Sequence, residues 1–95
     1  MKITIKSIAL IKTLLGQGEM ELTLAEGATI DDVLAELTEI GGEKLAPYVR
    51  VPKEESAHAP LRVMVNGRDI AALAGRKTVL ADGDDVLVFI PIAGG

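Results

Sequence analysis

Apolar and polar residues alternate from the first positions of the chain. Ile3 and Ile5 project to one side and Lys2, Thr4 and Lys6 to the other, the period of a strand with one covered face. The alternation predicts a strand over residues 2–10. Gly16-Gln17-Gly18 then supplies a turn, and a second alternating run sets Met20, Leu22 and Leu24 against Glu21 and Thr23. The two runs read as a hairpin joined by a loop. After Glu26-Gly27 the period changes. Ile30, Val33, Leu34, Leu37 and Ile40 recur at helical spacing, behind a hydroxyl cap at Thr29 and first-turn acids at Asp31 and Asp32. Gly41-Gly42 marks the stop.

Residues 43–49 predict a short helical turn, and the polar, proline-bounded stretch 52–60 reads as a surface excursion. A third strand covers residues 61–65 and ends at Asn66-Gly67, a tight-turn pair, with a short strand over 68–70 beyond it. Turns at Gly75 and Asp82-Gly83 flank Val79-Leu80. Residues 86–90, Val-Leu-Val-Phe-Ile, are apolar on both parities, which places this last strand in the middle of the sheet, parallel to the first. Pro91 ends it, because proline cannot donate to a ladder. The order implies an α+β roll, a mixed sheet of four to five strands with one main helix. It makes one domain over residues 1–95, in which 91–95 form a flexible tail.

Composition narrows the chemistry. Of 95 residues, 48% are hydrophobic, yet only Tyr48 and Phe89 are aromatic, so the core is aliphatic and base stacking has no platform. A net charge of −4 disfavours nucleic acid and anionic membrane as partners. The absence of cysteine removes disulfides, thiolate metal sites and thiol catalysis. His58 sits in a polar stretch with no ligand pattern beside it and reads as a surface residue. Asp82, Asp84 and Asp85 are spaced too closely for a calcium loop and read as turn residues. No metal or cofactor site is expected. Arg68, Arg76 and Lys77 read as solvated charges. The first residues lack the apolar core of a signal peptide, and no run is long enough to span a bilayer, so a cytoplasmic location is the expectation.

The informative feature is the ending. Gly94-Gly95 follows directly on an apolar strand and Pro91. Without Cβ atoms such a segment can thread a narrow channel and bring its last carboxylate to a reactive centre. A carboxylate is a poor electrophile until it is converted to a mixed anhydride with a nucleotide phosphate. The sequence has no phosphate-gripping GxxxxGK[ST] loop, so the nucleotide site belongs to another protein. On this reading the chain is a substrate and carrier with no catalytic residue of its own.

The run from Ala81 to Gly95, Ala-Asp-Gly-Asp-Asp-Val-Leu-Val-Phe-Ile-Pro-Ile-Ala-Gly-Gly, resembles the ending of molybdopterin-synthase small subunits and their archaeal relatives. Val65-Asn66-Gly67-Arg68 resembles the family's preceding strand and turn. The resemblance implies the ubiquitin-like β-grasp fold and a sulfur carrier. An E1-like enzyme would adenylate Gly95, and sulfur would replace one oxygen to give a thiocarboxylate. Pro91, Ile92, Ala93 and Gly94 would thread into the partner. The acceptor would be the large subunit of molybdopterin synthase or another sulfur acceptor. Relatives serve thiamine thiazole, tRNA thiolation, cysteine synthesis and tungsten cofactor, and some are conjugated to lysines as protein modifiers. The chain departs from the pattern at Ile90, where the family has the first of two prolines, and over residues 41–60, which are longer than in compact members.

Strand parity adds a docking surface. If Val86, Val88 and Ile90 face the helix, Leu87 and Phe89 face away, joined by Met64 from the neighbouring strand. Such a patch beside the tail suits a partner, with Phe89 as its anchor. The competing reading makes Phe89 a core residue closed over by a loop. A plain interaction module with an incidental tail is the third functional possibility.

Overall fold

A computed structural model of the chain describes residues 1–49 and 61–91. The expected excursion over 52–60, with His58, lies outside the described residues, as do Ile92, Ala93, Gly94 and Gly95.

Strand β1 (Lys2–Ser7) buries Ile3, Ile5 and Ser7 on one face. Strand β2 (Glu19–Thr23) pairs with it antiparallel, with Ile3 opposite Leu22 and Ile5 opposite Met20. The expected strand over 2–10 is too long. It stops at Ser7, and helix α1 (Ala9–Leu15) occupies the connection to β2. Ile11 and Leu15 are its buried residues, an i, i+4 pair that plugs the end of the core. Gly16 closes it at φ 85°, in the left-handed region that glycine enters without penalty.

Helix α2 (Ile30–Gly41) crosses the sheet on the buried apolar stripe Ile30, Val33, Leu34 and Leu37. Its first turn is closed by Asp32, whose Oδ2 accepts from the Thr29 backbone N–H at 2.8 Å and from Thr29 Oγ1 at 3.3 Å. Ile40, expected on the stripe, is 46% exposed. The inward position at that turn belongs to Gly41, against which Leu45 packs so closely that a Cβ there would lie 2.8 Å from the leucine's own Cβ. A 3-10 turn (Gly42–Lys44) and helix α3 (Ala46–Val49) follow, as the short helical turn predicted.

Strand β3 (Arg62–Val65) leads through Asn66-Gly67 into β4 (Arg68–Asp69). Both turn residues have positive φ, 50° and 84°, as a two-residue hairpin turn requires. Two 3-10 turns (Ile70–Ala72 and Gly75–Lys77) carry the chain to β5 (Asp85–Phe89). The sheet order is β2-β1-β5-β3-β4, with β5 parallel to β1 and antiparallel to β3. The last strand is therefore central, and the mixed five-stranded sheet gripping one main helix is the ubiquitin-like β-grasp. The core is aliphatic: Ile3, Ile5, Ile30, Leu34, Leu37, Val86 and Val88 are essentially inaccessible. Burying each such side chain contributes about 1.5–3 kcal/mol.

Candidate functional site

The site is built where β5 ends. Its start is fixed first. Asp82 and Asp84 lie in the turn, as their spacing suggests, whereas Asp85 opens β5. Asp82 Oδ1 accepts from the Lys2 backbone N–H at 2.7 Å, and Asp84 Oδ2 from the Ala81 N–H at 2.8 Å. Asn66 reaches across from the β3–β4 turn. Its Oδ1 accepts from the Asp85 N–H and its Nδ2 donates to Asp84 Oδ1, each at 3.0 Å. The strand that carries the tail thus enters the sheet under side-chain control from its neighbour.

Strand parity follows. Val86 and Val88 are buried in the same core as the α2 stripe, with Ile90 half-buried at its edge. Leu87 and Phe89 stand on the opposite face, and both are half-exposed. The structure places Met64 directly opposite Leu87, and Arg62 opposite Phe89. Met64, Leu87 and Phe89 are therefore brought together on the face opposite the buried Val86 and Val88, and among the described residues Phe89 is not part of the core. Pro91, the last described residue, is half-buried just beyond them.

Two ion pairs frame this apolar strip, and sequence reasoning did not connect them with it. Lys6 is the β1 residue opposite Leu87, and its Nζ lies 3.3 Å from Asp85 Oδ2. Arg62 holds Asp69 through Nε at 3.0 Å and Nη2 at 2.7 Å. The outward parity of Lys6 was legible; its place beside Leu87 needed the parallel register. Asp69 is held below the ordinary aspartate range, first by the hydrogen bond from the Ala71 backbone N–H and then by that from Arg62. Both pairs are exposed, so each adds little to stability and can be exchanged with a partner's charges.

Of the other sequence-read cations, Arg68 is exposed. Arg76 is tied in: it donates to the Val49 carbonyl and approaches Asp31 at 4.0 Å. Among the described residues no helix is long and apolar enough to cross a membrane.

The ThiS family matches residues 6–95, a span that takes in β5 and runs to Gly95. The chain belongs to the ThiS family of ubiquitin-like sulfur carriers and modifiers. It is 35% identical to small archaeal modifier protein 3 of Haloferax volcanii over 95 residues, covering all of both chains. It is 31% identical to a putative sulfur carrier protein of Archaeoglobus fulgidus over 81 residues, 85% of this chain and 89% of that one. Among solved structures, a putative molybdopterin converting factor, subunit 1, from Pyrococcus furiosus superimposes with a TM-score of 0.72 at 29% identity. That match covers 96% of this chain and 98% of that one. The two relatives are named as a modifier and as a putative sulfur carrier.

Proposed function

We propose that this ThiS-family chain is a sulfur carrier that works through the carboxylate of Gly95, activated by an E1-like adenylating enzyme. The observation that carries the reading is a conjunction. The family match extends through the Gly-Gly ending, and the strand leading to that ending carries half-exposed Leu87 and Phe89 beside Met64. The apolar strip seats the enzyme, with Phe89 as anchor. Pro91, Ile92, Ala93 and Gly94 then lead Gly95 to the nucleotide. A Gly95 oxygen attacks the α-phosphorus of ATP and pyrophosphate leaves. Hydrosulfide from a sulfur donor then attacks the acyl carbon, AMP departs with the bridging oxygen, and loss of the S–H proton leaves a thiocarboxylate. The sulfur passes to an acceptor. The resemblance to molybdopterin-synthase small subunits favours the large subunit of that synthase in this role. The chain supplies docking and a tail; the catalytic groups belong to its partners.

Adenylation is tested by ATP–pyrophosphate exchange with the cognate E1-like enzyme. Exchange should require this chain and should stop when Gly95 is deleted. Exchange that persists without Gly95 would exclude the terminal carboxylate as the acceptor.

A second reading is favoured by the full-length, 35% identical relative named a modifier. The same activated Gly95 would be passed to lysine side chains of other proteins. Gly-Gly remnants on lysines, traced to this chain by deleting its gene, distinguish the two. If remnants appear and sulfur transfer to a small acceptor does not, the modifier reading replaces the carrier.

A further inference from the structure

The outer edge of the sheet at β2 lies two strands from β5, the strand that leads to the tail. Among the described residues no strand lies beyond β2. The hydrogen bonds that join it to β1 fix which backbone groups remain. Leu24 N–H donates to the Met1 carbonyl at 2.9 Å, and the Met1 amine to the Leu24 carbonyl at 2.7 Å. Ser7 N–H donates to the Gly18 carbonyl at 2.9 Å. In an antiparallel ladder every second residue faces its neighbour. Leu22 and Met20 therefore bond to β1, while Glu19, Glu21 and Thr23 turn their N–H and C=O groups outward.

The side chains along this edge are sorted by the same parity. Glu19, Glu21 and Thr23 are exposed on the outer face; Met20, Leu22 and Leu24 are half-buried on the helix side. Among the described residues no ion pair neutralises either glutamate. Beyond Leu24 the edge opens into a cleft of about 370 Å³ toward α2, lined by Ala25, Ala28, Ala35 and Glu36 among others. The edge carries no proline, lysine or bulge of the kind that blunts an exposed strand. Lys6 of β1 stands opposite Glu19 but is paired with Asp85, and Glu21 faces Thr4. The strand's own guard is therefore negative charge centred on Glu21, and that guard is selective. A second copy pairing antiparallel through its own β2 would set Glu21 against Glu21, and like charges directly opposite destabilise a sheet. A strand with basic residues at those positions meets attraction instead.

We propose that β2 accepts an extended segment of a partner protein as an added antiparallel strand, with basic residues opposite Glu19 and Glu21 and apolar residues between them. Main-chain bonds to Glu19, Glu21 and Thr23 supply affinity. The alternate side chains supply specificity, the basic ones over the glutamates and the apolar ones against Met20 and Leu22. The net charge of −4 favours the same partner at long range.

The probe is the end-capped peptide Thr-Val-Lys-Val-Lys, titrated into the full ¹⁵N-labelled chain at low salt. The amides of Glu19, Glu21 and Thr23 should shift and gain exchange protection, and the effect should weaken as salt rises. Glu21→Pro removes one outward N–H without touching the β1 ladder and should abolish the shifts. Because that variant could also disturb the strand, the charge-reversed pair Glu19→Lys with Glu21→Lys provides a second test. It should lose the lysine peptide by roughly ten-fold or more and gain the peptide with glutamates in its place. Shifts confined to other residues, no binding at millimolar peptide, or an unaltered preference after charge reversal would overturn the proposal. So would the same amide shifts on raising the concentration of the chain alone, which would make a second copy the occupant.

Discussion

Leu87 of β5 stands directly opposite Met64 of β3, on the face of the sheet that no described helix covers. On the other face of the same strand, Val86 and Val88 are sealed in the core at 0% and 1% exposure. A single strand thus divides its side chains between holding the fold and offering a surface, and it leads straight to the tail.

That division predicts two opposite outcomes for one substitution. Leu87→Asp should weaken binding to the E1-like enzyme by about ten-fold or more, as for a residue in the centre of an interface. It should cost the fold less than about 1 kcal/mol, since the site is already half open to water. Val88→Asp should leave no folded protein, because it buries an unpaired charge. Isothermal titration and thermal melting separate the two; unchanged enzyme affinity of Leu87→Asp would remove the strip from the interface.

The start of α2 depends on Asp32 folding back onto Thr29. Asp32→Ala should lower stability by about 1 kcal/mol, the loss of a capping hydrogen bond plus a favourable first-turn charge. For a domain of this size that is a fall in Tm of roughly 4–8 °C. Urea denaturation would check it; an unmoved midpoint would mean that water serves the Thr29 N–H equally well.

Gly67 has φ 84° and open space where a Cβ would stand. Gly67→Ala should therefore be destabilising by about 1–2 kcal/mol through backbone conformation alone. Asn66→Ala should add a second effect, the freeing of Asp84 and the Asp85 N–H at the start of β5. If Gly67→Ala were neutral in denaturant titration, the turn would have to take another form.

Asp69 should titrate below ordinary aspartates by NMR, because the Ala71 N–H and Arg62 both favour its charged form. A depressed folded pKa contributes stability above the unfolded value, and that contribution is lost as pH falls through the folded one. Arg62→Gln should move the Asp69 titration upward, though not fully, since the larger cause is the Ala71 N–H. A titration unmoved by that change would mean the pair is not formed in solution.

Much of this architecture is written in residue periodicity. The capped stripe of α2, the Asn66-Gly67 turn and the two-sided apolar β5 each carry a local signal strong enough to survive folding. Helix α1 does not. Ile8 and Leu10 prolong the apolar run of β1 but on the parity of Lys2, Thr4 and Lys6, and extending the strand through them conceals the helical pair Ile11 and Leu15. Tertiary packing decides there: Ile11 and Leu15 reach the core, while Ile8 and Leu10 are left 51% and 40% exposed. Ile40 illustrates the reverse case. Its spacing fits the stripe, but Leu45 packs on Gly41 and takes that position from a later element. At the site, the outward parity of Met64, Leu87 and Phe89 was readable. The pairing of Lys6 and Arg62 with the strip was not, because cross-strand register joins residues far apart in sequence.

The central claim is chemical and concerns the last carbonyl carbon. The full chain, incubated with its E1-like enzyme, ATP and a sulfur donor, should show by intact mass one oxygen replaced by sulfur. Fragmentation should place that change on Gly95, and a chain lacking Gly95 should stay unaltered. An unchanged mass under an enzyme that demonstrably adenylates this chain would contradict the carrier account.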